Sequence, residues 1–129
     1  MSGYLLDTNA ALFALVAPER LSAAARKAIL KGPNVLSVVS YWEVLLKSMK
    51  GALDVGDPRA WWNDALEELA ATALALKPEY VAGVYGLAAH HKDPFDRVLI
   101  AQAKSENLAL VTNDALMARY ASAALKVVR

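Results

Sequence analysis

The chain has 129 residues, enough for one domain with a sizeable core. Hydrophobic residues make up 57% and charged residues 21%, a balance that excludes a disordered chain. The formal net charge is +1, which excludes a broadly basic nucleic-acid-binding surface, so an anionic partner must be held by a local patch or through a metal.

The predicted elements alternate from end to end. Tyr4-Leu5-Leu6 reads as a short apolar strand ending at Asp7, and Thr8 or Asn9 caps a helix from Ala10 to about Val16, which Pro18 ends. Ser22 caps a second helix, Ala23 to Lys31, stopped by Gly32-Pro33. Val35 to Val38 is a second strand. Ser40 caps the helix that follows, through Lys50, and Ser40…Glu43 has the spacing of a capping box.

Asp57-Pro58 opens a helix to about Ala71, and Thr72–Leu76 forms a third strand. Pro78 begins a short helix up to about Ala89, and His90-His91-Lys92 reads as a solvated loop. Asp93 then caps a helix with Pro94 in its first position, running to about Glu106. Leu108–Val111 is a fourth strand. Asn113 or Asp114 starts a helix to about Tyr120, and Leu125–Val128 is a last, edge strand. Short continuous apolar runs suit strands covered on both faces. The expected architecture is a three-layer α/β/α sandwich with a mainly parallel central sheet, one domain over residues 1–129.

The chain has no cysteine, which removes disulfides, thiolate catalysis and cysteine-based zinc sites. The start MSGYLLDTN lacks a basic, cleavable apolar leader. The longest apolar runs fall short of the roughly 20 residues of a membrane span. A soluble cytoplasmic protein is expected.

Four acids stand out: Asp7, Glu43, Asp96 and Asp114. Each lies where a strand ends or a helix begins, and in an alternating α/β chain such positions meet at one edge of the sheet. Glu43, Asp96 and Asp114 also have a capping reading, since carboxylates are stabilised near helix N-termini. Asp7 fits that reading least, because Thr8 and Asn9 already suffice as caps. An acid at the tip of a buried strand pays a desolvation penalty unless it is paired or bound to a cation. Clustered carboxylates without cysteine ligands point to a hard divalent ion such as Mg²⁺, which can activate water for attack on a phosphate.

The motifs Tyr4-Leu5-Leu6-Asp7-Thr8-Asn9, Ser40-Tyr41-Trp42-Glu43, Asp93-Pro94-Phe95-Asp96-Arg97 followed by Leu99-Ile100-Ala101-Gln102-Ala103, and Val111-Thr112-Asn113-Asp114 resemble, in that order, those of the PIN-domain ribonucleases, and most nearly the VapC-type toxins of prokaryotic toxin–antitoxin pairs. The resemblance covers essentially the whole chain. It implies an endoribonuclease dependent on Mg²⁺ or Mn²⁺, a protein antitoxin that blocks the site, and a homodimer. It implies Asp7, Glu43, Asp96 and Asp114 as the acidic set, with Asp7 and Asp96 as direct ligands and Glu43 and Asp114 holding metal-bound waters or a second ion. Asn9 and Thr112 would orient the carboxylates through hydrogen bonds. Asp93 is assigned to capping.

Arg97, Lys47, Lys50 and Lys92 are candidate RNA contacts, each with a plainer reading: Arg97 as a surface residue pairing with a local acid, Lys47 as the partner of Glu43 one helical turn away. His90-His91 lacks a further histidine to complete a zinc site. Trp42, Trp61 and Trp62 read as core or dimer packing rather than base stacking. Two alternatives stay open. One is a haloacid-dehalogenase-type phosphatase using Asp7 as nucleophile, although Asn9 stands where that chemistry wants a second aspartate. The other is a non-catalytic PIN-like binding module whose acids only cap helices.

Overall fold

A computed structural model describes residues 2–129. Its order is β1 (Tyr4–Leu6), α1 (Thr8–Val16), a 3-10 turn (Pro18–Arg20), α2 (Ala23–Lys31), β2 (Asn34–Ser37), α3 (Val38–Met49), α4 (Pro58–Glu68), β3 (Ala71–Leu74), α5 (Pro78–Gly83), α6 (Pro94–Glu106), β4 (Ala109–Val111), α7 (Ala115–Ala118) and β5 (Val127–Val128). The five strands form one sheet in the order β3-β2-β1-β4-β5. Every pairing is parallel. The expected α/β sandwich is therefore present, with a fully parallel sheet and β5 at an edge. Among the described residues no helix is long and apolar enough to cross a membrane.

Alternation along the three central strands builds two cores. Leu5 aligns with Val35 on one side and Leu110 on the other, and Leu6 with Leu36 and Val111. The first row packs with Tyr80, Leu99 and Ile100, from α5 and α6. The second packs with Ala10, Ala11, Ala25 and Ala65, from α1, α2 and α4. Leu5, Leu6 and Leu110 are wholly buried, each worth about 1.5–3 kcal/mol relative to exposure. Trp61 and Trp62 pack against the second core, and Trp62 also stacks on Tyr41.

Several element ends differ from expectation, each for a local reason. Ser37, not Ser40, caps α3: its hydroxyl accepts the N–H of Val39 at 3.0 Å. Ser40 is buried inside the helix and accepts the Thr8 hydroxyl at 2.9 Å, so no Ser40…Glu43 capping box forms. Helix α4 ends early because Ala70 adopts φ 48°, and β3 begins at the next residue. Helix α5 stops at Gly83 instead of Ala89, because the carbonyls of Val84, Leu87 and Ala88 turn to the Arg97 guanidinium. Helix α7 ends at Ala118, and a Ser122–Leu125 bridge shortens the last strand to Val127–Val128. Ser22, Asp57 and Asp93 cap their helices as expected.

Candidate metal centre

The chain leaves β1 toward β2 and β3, then returns to lay β4 and β5 on the other side of β1. The order thus reverses between β1 and β4, and the crevice outside the carboxyl ends of strands at such a reversal is where open α/β sheets place ligands. Asp7 directly follows β1. Thr112 directly follows β4, with Asp114 two residues on.

Asp7 is 4% exposed and is itself the N-cap of α1: one oxygen accepts the N–H of Ala10 at 2.8 Å. This corrects the expectation that Thr8 or Asn9 caps that helix. The other oxygen accepts the Thr112 hydroxyl. Thr112 Oγ1 in turn accepts the N–H of Asp114 at 3.0 Å, so one hydroxyl ties the first acid to the last. Asn9, expected to help orient the carboxylates, is exposed and is not among the hydrogen-bond partners of Asp7.

Helices α3 and α6 bring the other two acids. Trp42 meets Phe95 edge-on, ring centres 5.0 Å apart, and the next residue of each helix is an acid, Glu43 and Asp96. Glu43 is 5% exposed. Its Oε2 pairs with Lys47 at 3.0 Å, and its buried Oε1 has no hydrogen-bond partner. Lys47 therefore takes the plainer of its two readings, a helical ion pair.

The fields of these groups overlap. Burial pushes the Asp7 carboxyl up to about 6 against the pull of Thr112 and Ala10, and the charges of Asp114 and Glu43 add to the rise. Burial likewise pushes Asp96 up to about 7, helped by the charges of Asp93, Glu43 and Asp7. For Asp114 burial works upward, but the Leu116 N–H and the His91 ring outweigh it and hold the carboxyl below its ordinary range. Asp93 caps α6 through the Phe95 N–H. It thus contributes charge to the site while serving as a cap.

His91 was expected in a solvated loop, and the structure corrects this. Its ring is largely buried, with Nε2 at 3.0 Å from Asp96 Oδ2 and 2.9 Å from Asp114 Oδ2. One ligand atom from each of His91, Asp96 and Asp114 lies within 4.8 Å of the others. Arg97 does not pair with an acid as its surface reading had it. Its guanidinium donates to the carbonyls of Val84, Leu87, Ala88 and His91 and to the Tyr120 hydroxyl. Lys50 and Lys92 are exposed. The contacts of His91 and Arg97 with Tyr120, and of His91 with Asp114, join residues 23–29 apart in sequence, which no local spacing signals.

Four carboxylates with overlapping fields, two held above their ordinary range and one offering a buried oxygen without a donor, suit a divalent cation. The PIN domain family model matches residues 4–123. The chain belongs to the PIN domain family. No curated protein sequence is a significant match. Solved structures with the same PIN fold include a chain of DNA-bound VapBC from Salmonella typhimurium, with a TM-score of 0.68, 16% identity, and 98% of this chain and 97% of that chain covered. A chain of VapBC-5 from Mycobacterium tuberculosis, a member of the VapBC family of toxin-antitoxin systems, has a TM-score of 0.62 and 21% identity over 99% of this chain and 98% of its own. A chain of FitAcB from Neisseria gonorrhoeae has a TM-score of 0.63 and 23% identity, covering 98% and 96%. Membership of the PIN family sets aside the phosphatase reading.

Proposed function

We propose that this PIN domain is a metal-dependent endoribonuclease and the toxin half of a toxin–antitoxin pair, a single domain acting on RNA in the cytoplasm. The observation that carries the proposal is the meeting of Asp7, Glu43, Asp96 and Asp114 at the strand-order reversal, with mutual repulsion among them. Helix capping alone explains neither the buried, donor-free oxygen of Glu43 nor the position of Asp96 beside three other carboxylates. A binding module would gain nothing from that repulsion.

Glu43, whose buried Oε1 has no hydrogen-bond partner among the described residues, and Asp96 would hold the ion. Asp7 and Asp114 each lend both oxygens to protein donors and retain further lone pairs for the ion or its waters. A bound Mg²⁺ or Mn²⁺ supplies an activated water and neutralises charge on the scissile phosphate. Thr112 fixes the Asp7 carboxylate. The reaction needs no carboxylate as a covalent nucleophile. Lys50 and Lys92 remain candidate contacts to the RNA backbone.

The fold shared with VapBC complexes supports a protein antitoxin as partner. Exposed Val16, Leu30 and Met49 offer apolar surface for that antitoxin or for a second copy in a homodimer. The test is purified protein on total RNA with added Mn²⁺, before and after chelation. Cleavage that needs the ion and is lost in Asp96→Asn is expected. Cleavage that survives thorough chelation excludes the mechanism, and a protein that neither cuts RNA nor binds Mn²⁺ is the binding module.

A further inference from the structure

His91 is fixed from every side. Its backbone N–H donates to the Tyr120 hydroxyl at 3.0 Å, and its carbonyl accepts from Arg97 at 3.1 Å. Tyr120 is anchored in turn, donating to the Ala88 carbonyl at 2.6 Å, and the His90 ring packs edge-on against it. On the imidazole, Nδ1 accepts the backbone N–H of Asp93 at 3.1 Å. Ten residues without regular structure, 84–93, are thus strapped down by Arg97 and Tyr120 so that one ring reaches the acids.

The contacts of the ring settle its tautomer. A backbone N–H can only donate, so Nδ1 carries no proton. An imidazole whose Nδ1 is bare carries its proton on Nε2, and Nε2 donates it to Asp114 Oδ2 at 2.9 Å, with Asp96 Oδ2 3.0 Å away. A nitrogen that bears a proton has no lone pair for a metal, and ligation through Nε2 would move the proton to Nδ1, against the Asp93 N–H.

Resting on the metal-centre reading above, we propose that His91 is the positioning residue of the site: its Nε2–H, donated to Asp114 with Asp96 Oδ2 3.0 Å away, bridges the two carboxylates and holds them in place for a divalent ion without binding that ion. The bridge ties the start of α6 to the start of α7, two elements that meet here through no main-chain ladder. Residues that orient ligands in this way govern metal affinity.

The experiment titrates Mn²⁺ calorimetrically, without RNA, into the full chain as wild type, His91→Ala and His91→Gln, and records the Mn²⁺ electron paramagnetic resonance of each. Glutamine places an amide N–H at the same reach along the side chain as Nε2. His91→Ala is expected to bind Mn²⁺ about 10–100-fold more weakly, as loss of an orienting partner does. His91→Gln should recover most of that loss, and the wild-type spectrum should carry no coupling to a directly bound nitrogen. Equal affinity in wild type and His91→Ala overturns the proposal. A bound-nitrogen coupling that vanishes in His91→Ala also overturns it, as does a His91→Gln variant as weak as His91→Ala. Wild type that binds Mn²⁺ but cuts no RNA refutes the nuclease reading alone, whereas wild type that binds no Mn²⁺ refutes both.

Discussion

The Thr112 hydroxyl donates to Asp7 across the seam between β1 and β4, while its oxygen accepts the N–H of Asp114. One side chain therefore sets the spacing of two acids separated by most of the chain. Thr112→Val keeps the shape and deletes both bonds. It should cost about 1–3 kcal/mol, the penalty for buried groups left unpaired, and weaken Mn²⁺ binding. Thr112→Ser should restore both properties. Urea melts paired with metal titrations test this, and a Thr112→Val protein with unchanged affinity would separate Thr112 from the site.

Asp7→Asn makes a two-sided prediction. The amide oxygen can still accept the Ala10 N–H, so the cap survives, while a buried charge disappears. With its carboxyl held at about 6, Asp7 is ionised at neutral pH at the expense of the fold. Removing that charge should stabilise the metal-free fold, less what the Thr112 hydroxyl loses with its acceptor, while abolishing RNA cleavage. Melting in chelator and a cleavage assay on one preparation read both effects. Intact cleavage would remove Asp7 from the catalytic set.

The strand ends were legible because apolar runs stop abruptly at Asp7 and at Thr112. Parallel pairing then carries both stops to one edge. The cap at Asp93 was legible too, since Asp-Pro before an apolar-periodic stretch has a local meaning. The cap of α3 was not. The Ser40…Glu43 spacing points to Ser40, whereas the structure turns Ser40 inward to the Thr8 hydroxyl, a contact between residues 32 apart in sequence. The strapped loop was illegible for the same reason. Pro78 and the residues after it favour helix locally, yet Arg97 draws their carbonyls away. Whether His91 faces solvent or acids depends on where Tyr120 and Asp114 arrive.

Arg97→Lys should act through the fold, not through RNA. One ammonium cannot serve the carbonyls of Val84, Leu87, Ala88 and His91 that the guanidinium now binds. The expected loss is about 2–3 kcal/mol, several partly exposed hydrogen bonds at roughly 0.5–1.5 kcal/mol each. The salt dependence of RNA binding should keep its slope, because no phosphate contact is lost. A slope reduced by about one ion with unchanged stability would instead make Arg97 a backbone contact.

The pH dependence follows from Asp7 and Asp96, held at about 6 and about 7 against an ordinary value of 3.8. Between these limits the folded chain binds more protons at these two acids than the unfolded one, so their contribution to metal-free stability is full below about pH 4 and is lost as pH rises through about 6 and then about 7. The combined loss is on the order of a few kcal/mol. Mn²⁺ requires the deprotonated carboxylates, so its affinity should rise across the same range and its stabilisation with it. Melts in chelator and in saturating Mn²⁺, at about pH 5 and about pH 8, should therefore show opposite trends. A metal-free midpoint that climbs with pH would mean that these acids are neutralised by the protein itself, and the site would then have no need of a cation.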